Sequence, residues 1–413
     1  MRYLIIGNSA AGIFAAEAIR RQDPEGRIDI LSDESYPAYA RCMTSYYLTG
    51  KYADEKLYLR NPSYYQDNNF NLHLNEKAVE VLTEKNELKT AKGKTYKYDK
   101  LLIATGASPK LPKIPKVHSN GIFCLRTLDD AKGISRYLGP GKKAIVIGGG
   151  FVSLKAAYAL LERGMSVTCI ISSGQILSQM LDKGAADIVA ELLTAHGLEI
   201  KYHNDVVEFL THLDQTGADV VHGALLKSGE ELAADVVVIG KGVKPNLDFL
   251  RESGIVIGEG IVTNEYMETN LDGIYAAGDV AESYDLTVGE HRINAIWPNA
   301  AEQGAIAGSN MAGQKIKYAG SMGMNSATFY DLSTIAAGQT KKDASTGFEV
   351  VQLNLGQNLY RRFVFKDDKL VGFVLVGDTG KAGVLTSYIR EQLPLGDFKE
   401  ELKLGKIRQK LLF

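Results

Sequence analysis

The stretch "YLIIGNSAAGIFAAEAIRR", residues 3–21, decides the fold. An apolar run, Tyr3-Leu4-Ile5-Ile6, enters the small-residue turn Gly7-Asn8-Ser9-Ala10-Ala11-Gly12 and continues into an alanine-rich segment. That order predicts a strand, a tight turn and a helix, the opening of a dinucleotide-binding βαβ unit. Small residues let backbone N–H groups approach a pyrophosphate, and the helix N-terminus adds a positive dipole end. A second stretch, "KAIVIGGGFVSLKAAYALLERG" at 143–164, repeats the device. The three glycine positions are Gly7, Ser9 and Gly12 in the first copy, and Gly148, Gly150 and Ser153 in the second. One such turn is a weak signal; two in one chain, each between strand and helix, form a much stronger one.

Further motifs agree. "YDKLLIATGASP" (98–109) is an apolar strand running into Thr105-Gly106, and "ADVVVIGKGVKPN" (234–246) one running into Gly240-Lys241-Gly242. "TNLDGIYAAGDVAE" (269–282) ends a strand at Gly278-Asp279, and "WPNAAEQGAIAG" (297–308) reads as a helix with Pro298 in its first turn. The pattern predicts an α/β fold with two Rossmann-like dinucleotide-binding domains, the second inserted in the first, plus a C-terminal α+β domain. The expected bounds are 1–112 with 245–319 for the first domain, 113–244 for the second and 320–413 for the third. The Pro/Lys-rich "SPKLPKIPK" (108–116) suits a crossing between domains. In the third domain "LYRRFVFKDDKLVGFVLVG" predicts a hairpin turning at Asp367-Asp368, and "GKAGVLTSYIREQL" an amphipathic helix.

Composition excludes several classes. Lys+Arg (47) nearly balances Asp+Glu (49) in 413 residues, so no overall charge draws the chain to nucleic acid or anionic membrane. The three cysteines, Cys42, Cys124 and Cys169, form no CxxC and no Cys/His cluster, and the seven histidines are scattered; no metal site is expected. No apolar run reaches bilayer-spanning length and no leader is visible, which reads as a cytoplasmic protein.

The two glycine turns, Ala104-Thr105-Gly106, Gly278-Asp279 and "GVKPN" together resemble the pyridine nucleotide–disulfide oxidoreductase superfamily of FAD- and NAD(P)-dependent flavoproteins. "YARCMTSYYLTG" (39–50) and "GSMGMNSATFYDL" (320–332) resemble its NADH:rubredoxin reductase and nitrite-reductase flavin-domain branch, with similarity also to flavoproteins that accompany carbon monoxide dehydrogenase. The resemblance implies FAD in the first domain, at Gly7, Ser9, Ala10, Ala11 and Gly12, with Asp33 or Glu34 on the adenosine ribose. It further implies Arg41, Val79, Thr105, Gly106, Arg126, Gly278, Asp279 and Pro298 around that cofactor. NAD(P)H is implied in the second domain, at Gly148, Gly150, Phe151, Val152, Ser153, Ser172, Gly240 and Gly242, with Phe151 as a gate for the nicotinamide. The strand "SVTCIISSGQIL" (166–177) ends in neither the acid that reads NADH nor an arginine for NADPH; NADH is expected, with NADPH open. Many relatives carry glutamate where this chain has Lys155, which either alters the charge near the nicotinamide or is a solvated helix lysine.

Cys42 admits two readings. In single-cysteine relatives a thiol about here cycles through sulfenate or mixed disulfide, and Arg41 alongside would lower its pKa. Met43, where thiol enzymes usually place a small residue, and the tyrosine-rich flanks favour the branch that needs no thiol. The implied function is an FAD-dependent NAD(P)H oxidoreductase exchanging electrons with a small iron–sulfur carrier of ferredoxin or rubredoxin type, with a place inside a larger redox complex as one outcome. The alternatives are a Cys42 enzyme reducing peroxide, persulfide or CoA disulfide, and a flavin-binding scaffold or sensor subunit. The third domain would serve as an interface, with a homodimer as one outcome, and the lysines of "KEELKLGKIRQKLLF" (399–413) would suit an acidic carrier.

Overall fold

The computed structural model describes residues 1–356 and 358–407. They fall into two compact units, the first made of Met1–Cys42, Asp54–Ser108 and Val243–Gly323, the second of Met43–Ala53, Pro109–Gly242 and the chain from Met324.

The first unit is built on a five-stranded parallel sheet in the order Ile274–Ala276, Lys100–Ile103, Arg2–Ile6, Arg27–Leu31, Phe70–His73. Its central strand is buried from Tyr3 to Ile6, as expected of an uninterrupted apolar run covered on both faces. Ile6 pairs with Leu31 on one side and Ile103 on the other, so the chain leaves the sheet at Gly7, where the strand order reverses. Ligands of open α/β sheets bind outside such a switch point. The helix Ala10–Gln22 then packs on the long helix Trp297–Met311, which carries Pro298 in its first turn. Gly304 and Gly308, one turn apart, allow the contact: a Cβ on either would meet the backbone of Ala11 or Ala15.

The second unit repeats the winding. Its parallel sheet runs Leu198–Tyr202, Ser166–Ile171, Lys143–Ile147, Val236–Ile239, Ile122–Cys124. Ile147 pairs with Ile170 and Ile239, and the helix Phe151–Glu162 follows the second glycine turn. The same unit holds a five-stranded antiparallel sheet, ordered Met324–Phe329, Leu332–Gly338, Lys369–Val376, Tyr360–Lys366, Glu349–Asn354. The expected hairpin turns at Asp367-Asp368, with Asp367 at φ +55°, and the expected helix spans Ala382–Arg390. One core joins both sheets of this unit, from Val146, Leu154 and Leu160 to Phe329, Ala336 and Val374.

Of the lysine-bearing C-terminal segment, Lys399 and Lys403 pair with Glu349 at 2.8 and 2.7 Å, bracing the sheet edge, whereas residues 408–413 lie outside the described residues. Among the described residues no helix is long and apolar enough to cross a membrane.

Candidate dinucleotide-binding sites

In the first unit the glycine turn closes tightly on its neighbours. Gly7 adopts φ +124°, and a Cβ there would stand 2.1 Å from the Ala104 carbonyl oxygen. A Cβ on Gly12 would fall 1.9 Å from the carbonyl oxygen of Gly7, so the helix can follow the turn this closely only without a side chain there. Ser9 is the helix N-cap, in extended backbone, yet makes no side-chain capping bond. Arg41 Nε instead donates to Ser9 Oγ at 3.4 Å. An uncapped helix start beside a partly buried guanidinium is the donor set that a diphosphate requires, so FAD fits these residues.

Arg41 is held by more than Ser9. Its guanidinium donates to Glu34 in a very short bond and to Tyr39 Oη at 3.2 Å, while Tyr39 Oη donates to Glu34 Oε2 at 2.6 Å. Burial opposes the charge on Arg41, but Tyr39 and Glu34 outweigh it and hold its pKa above the ordinary value. Glu34 therefore turns toward the Ser9 end of the helix through Arg41, whereas Asp33 is exposed.

Thr105-Gly106 and Gly278-Asp279 are fixed by two residues that carried no role in the sequence reading. Asn246 donates through Nδ2 to the Thr105 carbonyl (2.8 Å) and through its amide to the Gly106 carbonyl (3.0 Å), and it accepts from Ser108 Oγ (2.7 Å). Gln303, 2% exposed, accepts from the Gly278 amide at 2.8 Å and donates to Ser283 Oγ at 3.0 Å. Gly278, at φ +82°, packs beside the first helix, 3.2 Å separating its would-be Cβ from Ala11 Cβ. Both residues stand in quoted motifs, "GVKPN" and "WPNAAEQG"; a side-chain amide inside a glycine-bearing motif was the available signal. Of the other expected residues, Val79 lies on a separate three-stranded sheet, 43% exposed, and Arg126 belongs to the second unit, where its amide donates to Asp130 Oδ2 (2.9 Å).

Cys42 is exposed in the short 3₁₀ turn Arg41–Met43. The expectation that Arg41 lowers its pKa is overturned. Partial desolvation pushes the thiol up from its ordinary value, and the neighbouring guanidinium is directed to Glu34, Tyr39 and Ser9.

The second glycine turn has matching geometry. Gly148 adopts φ +113°, with its would-be Cβ 2.4 Å from the Gly240 carbonyl oxygen. Ser153, at the third glycine position, is more than a small residue: its hydroxyl donates to that same carbonyl at 3.2 Å, tying helix to strand end. Gly150 is the helix N-cap, has no side chain to cap with and stands in open space. Gly149 accepts from the Leu177 amide at 2.7 Å. Phe151 begins the helix half-buried, Val152 and Ser172 are exposed, and Gly242 (φ +86°) accepts from the Lys110 amide. These uncapped, side-chain-free surroundings suit the pyrophosphate of a nicotinamide dinucleotide.

Lys155, one turn into the helix, is half-buried and makes specific contacts. Its ammonium donates to Thr328 O (2.9 Å) and Tyr46 Oη (3.2 Å), and lies 4.3 Å from the centre of the Tyr46 ring, with Tyr158 and Phe329 at 5.2 and 5.4 Å.

Residues 1–304 match the family model for pyridine nucleotide-disulphide oxidoreductases. The chain belongs to that family. Residues 324–393 match a second model, the rubredoxin NAD+ reductase C-terminal domain. A relative from Aromatoleum evansii, "NADH-dependent phenylglyoxylate dehydrogenase subunit epsilon", is 32% identical over 95% of this chain and 92% of its own. The "NAD(P)H sulfur oxidoreductase (CoA-dependent)" of Pyrococcus furiosus is 33% identical over 84% of this chain and 79% of its own. Among solved structures, the reductase in a covalent putidaredoxin reductase–putidaredoxin complex superposes with a TM-score of 0.88 at 25% identity, covering 95% of this chain and 94% of that one. Members of this family bind FAD and NAD(H), and the protein is an FAD-dependent NAD(P)H oxidoreductase.

Proposed function

We propose that this oxidoreductase exchanges electrons between a nicotinamide cofactor and a small iron–sulfur carrier of ferredoxin or rubredoxin type. Residues 1–112 with 245–319 form the FAD-binding domain, 113–244 the NAD(P)-binding domain and 320–413 the third domain. Bound FAD supplies the chemistry that takes up a hydride's two electrons and passes them on singly. The chain's own residues bind and orient. Gly7, Ser9, Gly12 and Arg41 take the FAD diphosphate, Glu34 fixes Arg41, and Gln303 holds the Gly278-Asp279 loop for the ribityl chain. Gly148, Gly150 and Ser153 receive the second pyrophosphate.

The observation that carries the choice of acceptor is the match of residues 324–393 to the rubredoxin NAD+ reductase C-terminal domain. The likeness to a reductase solved with its iron–sulfur protein, putidaredoxin, supports it. The engagement of Arg41 by Glu34 rather than by the thiol speaks against Cys42 as a working thiolate. A second reading stays specific: the Pyrococcus furiosus relative is named for sulfur reduction, and Cys42 is exposed.

Anaerobic stopped-flow mixing of the flavin-loaded protein with NADH and then with ferredoxin or rubredoxin tests the choice. Carrier reduction that persists in Cys42→Ser supports the proposal. Absence of carrier reduction, together with CoA-persulfide turnover abolished by Cys42→Ser, establishes the second reading instead.

A further inference from the structure

We propose that the nucleotide site of the second unit accepts a 2′-phosphate, so that the enzyme takes NADPH as well as NADH, and that His203 and Ser172 read that position. The inference rests on the reading above that the second glycine turn holds the nicotinamide cofactor.

The strand Ser166–Ile171 lies directly beside the glycine-turn strand Lys143–Ile147. At the carboxyl end of that second strand a Rossmann site reads the adenosine ribose. A carboxylate there accepts from both ribose hydroxyls and repels a 2′-phosphate, which is how NADH is selected. From Ser166 to Leu177 this chain has no aspartate or glutamate. Ile171 closes the strand, Ser172 and Ser173 follow it exposed, and Ser173 Oγ donates back to the Gln175 carbonyl at 3.0 Å.

The group beside this loop is an imidazole. His203 follows the adjacent strand Leu198–Tyr202, and its amide donates to the Ser173 carbonyl at 3.3 Å. Its ring lies flush on the loop: a Cβ on Gly174 would be 2.8 Å from His203 Cε1 and 2.9 Å from Nε2. Asp205, two residues further on, is ion-paired with Lys241 at 2.7 Å. Lys241 itself follows the strand Val236–Ile239, so these strand ends present hydroxyls, an imidazole and a neutralised acid. A 2′-phosphate meets hydrogen-bond donors here, and the 2′-hydroxyl of NADH meets no group that excludes it.

Calorimetric titration of the full-length, flavin-loaded protein with 5′-ADP and with its 2′-phosphorylated counterpart, adenosine 2′-phosphate 5′-diphosphate, tests this without turnover. The wild type is expected to bind the two within about tenfold of each other. Ser172→Asp, which installs a carboxylate, is expected to shift the affinity ratio toward 5′-ADP by about tenfold or more. His203→Asn, which keeps a residue at ease with φ +53° but withdraws the ring, should shift the ratio the same way by about threefold or more. A wild-type preference for 5′-ADP beyond about 100-fold, or a ratio moved by neither variant, overturns the inference alone. Binding of neither nucleotide overturns the underlying assignment of the nicotinamide site as well.

Discussion

Gly304 faces Ala11 backbone to backbone: a methyl group on the Gly304 α-carbon would lie 2.1 Å from the Ala11 carbonyl oxygen. Neither helix can yield locally, because Gly308 meets Ala15 in the same way one turn later, at 2.3 Å. The contact fixes the start of the Ala10–Gln22 helix against the residue that follows Gln303. Gly304→Ala therefore has to push two helices apart, at a cost of about 1–3 kcal/mol, and should loosen the first glycine turn with them. Denaturant unfolding with absorbance at the flavin band checks both effects. A variant that matches wild type in stability and flavin retention would show that the helices have slack.

Lys155 makes a prediction about charge. Its ammonium sits over the Tyr46 ring and donates to the Thr328 carbonyl, where the side chain is only partly screened by water. Lys155→Met keeps the length and loses the cation–π contact and both hydrogen bonds, and should cost about 1–2 kcal/mol. Lys155→Glu should cost more, since a carboxylate would confront a carbonyl oxygen and the negative faces of aromatic rings. Thermal melts of both variants decide it. Equal melting temperatures for methionine and glutamate would mean that the ammonium contributes nothing beyond its stem.

Asp29 contributes to the acid limb of stability. It is 7% exposed in the first sheet; Arg27 Nε lies 2.7 Å from one carboxylate oxygen and His73 Nε2 2.9 Å from the other. Burial opposes its ionisation, but the hydrogen bonds from Arg27 and His73 outweigh that and hold its pKa below the usual carboxylate value. A native pKa below the unfolded value of about 3.9 means that the unfolded chain binds the proton first. The contribution is then full above roughly pH 4 and is lost as pH falls through the native pKa. Asp29→Asn should be less stable than wild type at pH 7 and should lose less on going to pH 3. Melting temperatures across that range check it; parallel curves for the two proteins would sink the assignment.

The two glycine turns were legible because all their determinants are local: apolar run, small residues and alanine-rich helix lie within about twenty positions. The hairpin at Asp367-Asp368 was legible for the same reason. What stayed hidden was long-range. Asn246 fastens Thr105, and Gly304 admits Ala11, across separations that no periodicity encodes. Asp33 and Glu34 could not be told apart by a register uncertain by a residue or two, whereas the folded chain turns Glu34 to Arg41 and leaves Asp33 exposed. Lys155 was read either as a tuning charge or as a solvated lysine, because nothing adjacent in sequence shows that Tyr46 and Thr328 converge on it.

The first sheet places its edge strand Ile274–Ala276 beside Lys100–Ile103, and the helix that braces the opening turn ends only at Met311. During synthesis the opening strand, turn and helix must therefore wait, their apolar faces uncovered, until the chain has been made as far as Met311. The strands of the second parallel sheet, from Ile122–Cys124 to Val236–Ile239, all leave the ribosome before that helix does. A nascent chain halted before that last helix should present a sticky fragment to chaperones, although the first glycine turn was translated long before.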